Sequence, residues 1–243
     1  MKAVKEHSMK RMIIASTSTI YGSSYLEYLV LELKTFFKDV KTILFIPYAR
    51  PSGISHDDYT KKAGDAFTTI GISVEGIHEF SDPVKAINGA EAIFTGGGNT
   101  FVLVNELYKN NLMGILKVAV ENGTPYLGTS AGSNICGVSM KTTNDMPIVY
   151  PPSYQTLGLV PFNINPHYLD PDPNSTHKGE TRETRIKEFH VYNSLPVVGI
   201  REGSWLFVEG EKITLKGNLT ARIFTQNKLP YEVEPETLLN GLK

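Results

Sequence analysis

Tyr126-Leu127-Gly128-Thr129-Ser130-Ala131-Gly132 runs from a short apolar stretch into Gly-x-Ser-x-Gly, and a helix can begin directly after it. A strand that turns sharply into a helix through small residues has the pattern of a nucleophile elbow. Small residues flank the serine because so tight a turn brings backbones close together. The turn lifts the hydroxyl above the sheet edge, where the N–H of Ala131 can stabilise a developing oxyanion. The same five residues also fit an ordinary helix start with Ser130 as its cap, so the surrounding chain has to arbitrate.

Upstream, apolar runs at 11–16, 42–47, 73–78, 92–95 and 125–129 alternate with helical patterns at 25–37, 58–70, 83–88, 101–108 and 115–121. In the first of these helices Leu26, Leu29, Val30, Leu33, Phe36 and Phe37 recur at helical spacing. Such alternation predicts βαβ crossovers, hence a three-layer α/β fold with a mostly parallel central sheet flanked by helices. Downstream of Val138, prolines at 147, 151, 152, 161, 166, 171 and 173 mark a loop-rich stretch. It is too long for a plain connection and reads as functional. A helix at 181–190 follows, then strands at 196–200, 205–209, 212–215 and 221–225, punctuated by Gly203, Gly210 and Gly217. These form a C-terminal strand-rich extension. Residues 1–10 read as a loose extension, and 11–243 as a single α/β catalytic domain.

Bulk properties narrow the function classes. The 243 residues are 41% hydrophobic and 20% charged, which is ordinary for a globular chain. A net charge of −1 supplies no global field for nucleic acid or anionic lipid, so neither is an expected partner. The one cysteine, Cys136, excludes an internal disulfide and fits a reducing, cytoplasmic setting. The polar, basic start does not have the form of a signal peptide, and no apolar run approaches membrane-spanning length.

A serine nucleophile needs a base, because a free hydroxyl is barely ionised at neutral pH. His167, in Asn165-Pro166-His167-Tyr168, sits where a strand ends in the proline-rich stretch, and the preceding proline is expected to constrain it. Two acids compete to orient its ring. Glu202, in Ile200-Arg201-Glu202-Gly203, directly follows a predicted strand and is favoured, since open α/β sheets place active sites at strand C-terminal ends. Asp145, in Thr142-Thr143-Asn144-Asp145-Met146-Pro147, is expected to line the substrate side. A second Gly-rich turn, Gly96-Gly97-Gly98-Asn99-Thr100, lacks the lysine of a phosphate loop. Its Gly97 or Gly98 amide is a candidate second oxyanion donor, while Asn99 or Thr100 can cap the next helix.

Taken together, these segments resemble peptidase E, the α-aspartyl dipeptidase family. They include Phe45-Ile46-Pro47-Tyr48-Ala49, the glycine turn through Phe101, the elbow, Thr142 to Val149, Asn163 to His167, His177-Lys178-Gly179-Glu180-Thr181-Arg182, and Glu202-Gly203. The resemblance implies a class I glutamine amidotransferase-like fold and hydrolysis of dipeptides with an N-terminal aspartate, without metal or organic cofactor. It implies Ser130 as nucleophile and His167 as base, with Asp145 and Glu202 both having been proposed as third member. It favours Arg182 as the clamp on the aspartyl carboxylate, a role suited to a bidentate guanidinium. Asn99 is a further candidate substrate contact. Thr129 departs from the bulky aromatic usual in the family's elbow and is expected to reshape a pocket wall.

The expected partner is therefore a small acidic dipeptide, and a homodimer is compatible with the sequence. The competing readings are a cyanophycinase-like β-aspartyl peptidase and a non-catalytic protein that binds a small acid. A metal site built from His167, Asp170, Asp172, His177 and Glu180 is disfavoured, since the segment has no helical His-x-x-x-His pair.

Overall fold

In the computed structural model, residues 9–172, 174, 176 and 179–242 are described. Five strands form the parallel part of a large sheet: β1 (Arg11–Ala15), β2 (Thr42–Ile46), β3 (Ser73–Gly76), β4 (Ile93–Thr95) and β5 (Tyr126–Thr129). Between them run α1 (Val30–Phe36), α2 (His56–Thr68), α3 (Pro83–Gly89), α4 (Thr100–Lys109) and α5 (Leu112–Glu121). After the elbow come the single-turn α6 (Ala131–Asn134), β6 (Asn163–Asn165) and α7 (Arg182–Tyr192). The chain then forms β7 (Val197–Ile200), β8 (Ser204–Glu209), β9 (Lys212–Gly217), β10 (Ala221–Phe224) and β11 (Tyr231–Val233).

The main sheet has the order β3-β2-β4-β5-β1-β8-β9, with β8 antiparallel to its neighbours β1 and β9 and the other six strands running one way. Alternate residues of each parallel strand serve opposite faces, as the pleat requires. Met12 and Ile14 of β1 join Leu44 and Ile46 of β2 in a core beneath α4 and α5. Ile13 and Ala15 join Ile43 and Phe45 in a second core beneath α1 and α2. That double burial explains why these strands read as unbroken apolar runs.

Two features refine the expectation from sequence. The C-terminal strands are not one extension, because β8 and β9 complete the main sheet while β7, β10 and β11 join β6 in a second sheet of order β11-β10-β7-β6. The first helical segment is also divided: Leu26 has φ +60, and a 3-10 turn at Glu27–Leu29 precedes α1. Both sheets direct strand C-terminal ends toward the same place. In the main sheet Ala15 pairs with Thr129, and Thr95 with Gly128, so Ser16, Ser130 and the Gly96–Gly98 turn leave neighbouring strands together. In the second sheet the parallel pair β6–β7 matches Asn165 with Gly199, so His167 and the Arg201–Glu202 turn emerge side by side.

Candidate active site

Ser130 has φ +54 and ψ −110, a conformation that costs an L-residue about 1–3 kcal/mol and persists only where packing over-determines it. The packing is visible. A Cβ on Gly128 would lie 2.5 Å from the Gly132 carbonyl oxygen, and one on Gly132 would overlap the Thr95 carbonyl. The Ser130 N–H donates to Ala15 O at 3.2 Å, and the buried Ser133 hydroxyl bridges Ala15 O and Gly128 O at 2.6 and 2.7 Å. Strand, turn and helix are thereby locked around the serine.

The candidate oxyanion donors surround it. Gly97 sits so close that a Cβ there would be 2.9 Å from Ser130 Cβ, while Gly98 backs onto the Ala49 carbonyl with φ +148. Among the described residues the N–H groups of Gly97, Gly98 and Ala131 have no acceptor.

His167 Nε2 lies 2.8 Å from Ser130 Oγ, and its Nδ1 lies 2.6 Å from Glu202 Oε1. With a carboxylate on Nδ1, that nitrogen carries the proton and Nε2 accepts from the serine hydroxyl. Contrary to the expectation from sequence, Pro166 is not what holds His167, because proline fixes its own φ and not that of the next residue. His167 has φ +53 and is held by its N–H donating to Ser16 Oγ at 2.8 Å, while Ser16 Oγ donates to Ile200 O at 2.7 Å. Asn144 Nδ2 holds the Pro166 carbonyl at 2.7 Å, and Asn165 Nδ2 holds Asn144 Oδ1 at 2.8 Å. Ser16 was not singled out in sequence. The one hint was a polar Ser-Thr-Ser-Thr run at the C-terminal end of an apolar strand.

Asp145 does not meet His167. Its Oδ2 accepts from Thr100 N (2.7 Å), Thr100 Oγ1 (2.6 Å) and Thr143 Oγ1 (2.9 Å), which anchors its loop to the start of α4. Arg182, the first residue of α7, lies near enough to feel its charge. Burial and the neighbouring Arg185 lower the Arg182 pKa, and Asp145 opposes them. Asn99 caps α4 through Oδ1 to Val102 N (3.1 Å) and donates from Nδ2 to Met146 O (2.9 Å). Each end of its amide therefore has one partner, which gives Asn99 the expected capping role and a loop-anchoring one besides. Thr129 is fully buried and cannot be a pocket wall.

His167 serves Ser130 and Glu202, Asp170 is held at both oxygens by Arg201, and His177 lies outside the described residues. No helix among the described residues is long and apolar enough to cross a membrane.

The model of peptidase family S51 matches residues 12–216. The chain belongs to that family. As an S51 member it is 49% identical over 222 residues to a peptidase E of Streptomyces coelicolor, covering 91% of this chain and 90% of that one. It is 47% identical over 231 residues to a probable alpha-aspartyl dipeptidase of Drosophila melanogaster, covering 94% and 95%. The fold is shared with the crystal structure of a peptidase from an acI-B1 Actinobacterium, at TM-score 0.69 and 16% identity over 96% and 97% of the two chains. The S51 match spans the elbow, both strands of the β6–β7 pair and Glu202, so every residue just placed around Ser130 lies inside it.

Proposed function

We propose that this S51 member is a serine dipeptidase that cleaves dipeptides after an N-terminal aspartate, in the cytoplasm, using Ser130, His167 and Glu202. The observation that carries the reading is the unbroken line of hydrogen bonds from Ser130 Oγ through His167 to Glu202, at 2.8 and 2.6 Å, beside amides with no acceptor of their own among the described residues. The name of the Drosophila relative, a probable alpha-aspartyl dipeptidase, supplies the substrate class.

Ser130 Oγ attacks the scissile carbonyl while its proton passes to His167 Nε2. Glu202 stabilises the resulting imidazolium and keeps the ring in the productive tautomer. The tetrahedral oxyanion is met by amides of Ala131 and the glycine turn, and such donors act strongly because they are already oriented. His167 then gives the proton to the departing amine, leaving an acyl-enzyme. Water, deprotonated by the same nitrogen, releases aspartate and returns the proton to Ser130. Arg182 binds the aspartyl carboxylate. The Oδ1 oxygen of Asp145, which has no hydrogen bond among the described residues, faces the substrate ammonium.

The test is hydrolysis of Asp-Leu, Asn-Leu and a β-aspartyl dipeptide by wild type and variants. Turnover of Asp-Leu should vanish in Ser130→Ala. Arg182→Met should lower kcat/KM for Asp-Leu by roughly 10²-fold, because a substrate carboxylate loses its cation, and should affect Asn-Leu far less. Arg182→Lys should restore only part, lacking the planar fork. Cleavage of the β-aspartyl substrate alone would favour the cyanophycinase-like reading. No labelling of Ser130 by a fluorophosphonate, with no turnover, would favour a small-acid binder.

A further inference from the structure

Glu202 is half exposed, and among the described residues its carboxylate makes no hydrogen bond except to His167. Its place is therefore set by the backbone of its turn. The residue before it, Arg201, has a side chain only 15% exposed and is bound on three sides. Its Nε and Nη2 donate to the two oxygens of Asp170, each at 2.8 Å, in a bidentate pair. Nη1 donates to Thr220 O and Glu232 Oε2, both at 2.8 Å, and Arg222 holds the other oxygen of Glu232 at 2.9 Å. The guanidinium also lies over the ring of Tyr168 at 5.3 Å.

Asp170 and Tyr168 belong to the segment that carries His167, whereas Arg201 belongs to the turn that carries Glu202. A surface ion pair alone contributes little to stability. This one is a planar fork on a mostly buried cation, and it spans the two segments whose spacing determines whether the 2.6 Å His167–Glu202 hydrogen bond forms. We propose that Arg201 is a positioning residue: by clamping Asp170 it fixes the His167 segment against the Glu202 turn, with Glu232 and Thr220 anchoring the clamp. This rests on the triad reading above. Positional errors of about 1 Å at a reacting group can cost up to roughly 10²-fold in rate, so the clamp's contribution should be measurable.

The experiment uses the full chain. Asp170→Asn keeps the shape of an exposed side chain but cannot accept both guanidinium bonds, and Arg201→Lys keeps the charge without the fork. The measured quantities are the second-order rate of fluorophosphonate labelling at Ser130, and kcat and KM for Asp-Leu. Each variant should lose about tenfold in labelling rate and in kcat, with KM changed less than about twofold. In a Glu202→Gln background the same Asp170→Asn change should cost less than about twofold, because its effect passes through Glu202. Wild-type labelling in both single variants, or equal losses in both backgrounds, would overturn the proposal and reduce the clamp to a stabilising contact. Wild-type labelling without Asp-Leu cleavage would overturn the substrate assignment instead, and the labelling comparison would still decide the role of Arg201.

Discussion

Ser130 and His167 are 2.8 Å apart yet hang from two sheets built by different means. On the serine side the decisive contacts are steric, with Ala15 O accepting the hydrogen bonds that tie the elbow to β1. Gly128 and Gly132 have no room for a Cβ, β5 is wholly buried, and the strained backbone is enforced by contacts with adjoining strands. On the histidine side the holding contacts are polar and distant in sequence. Ser16 fixes the His167 N–H across 151 positions, and Arg201 binds Asp170 and Glu232, each 31 positions away. The proposed nucleophile, held in a costly conformation, is set in a packed core, where no alternative geometry fits. The proposed base, which would gain and lose a proton, is set among hydrogen bonds and charges, about a third open to water.

If that contrast is right, the serine side should break all at once. Gly132→Ala forces a methyl group into the Thr95 carbonyl, and backbone cannot yield as a flexible side chain does. We expect a loss of about 3 kcal/mol or more, at the upper end of overpacking costs. The check is urea unfolding, and a variant of wild-type stability would show that the elbow is looser than its contacts imply.

The histidine side should instead lose chemistry while keeping its fold. Glu202→Gln should lower kcat by roughly 10²–10⁴-fold with an unchanged unfolding midpoint, because the neutral amide no longer stabilises the imidazolium. Asp145→Asn should do the reverse, weakening the α4 anchor by about 1–2 kcal/mol and altering KM more than kcat, since Oδ2 holds Thr100 and Thr143. A crippled kcat in Asp145→Asn beside a near-normal one in Glu202→Gln would exchange their roles.

The smallest effect is a pH dependence that only the charged side should show. Burial alone would raise the Glu232 pKa, but hydrogen bonds from Arg201, Thr220 and Arg222 outweigh it and bring the group from 4.5 down to about 2. A depressed folded-state pKa stabilises the native state above the unfolded value, and that contribution is lost as pH falls toward the folded one. The gap in urea midpoint between wild type and Glu232→Gln should therefore hold steady from neutrality to near pH 4.5 and narrow between there and about pH 2. A gap independent of pH would mean that Glu232 acts through shape and not charge.

Much of this was legible in the chain itself. The elbow announces itself because its causes are local: glycine spacing, a preceding apolar run and a following helix are consecutive letters. The parallel sheet was equally readable, since strands such as Thr42–Ile46, buried on both faces, leave an unbroken apolar run. Ser130, His167 and Glu202 could be nominated from strand ends. The sequence could not rank Glu202 above Asp145 by anything firmer than position, nor reveal that Asp145 is bound to Thr100 and Thr143 or that Asn99, besides capping α4 as expected, holds the Met146 carbonyl. It was also silent on Ser16, on Arg201 as a clamp, and on the division of the last strands between two sheets. Those depend on pairings between residues tens to more than a hundred positions apart, and a hydrogen bond made across such a distance leaves no periodicity behind. Local sterics write themselves into neighbouring residues, whereas long-range polar partners are chosen only when the tertiary fold brings two strand ends together.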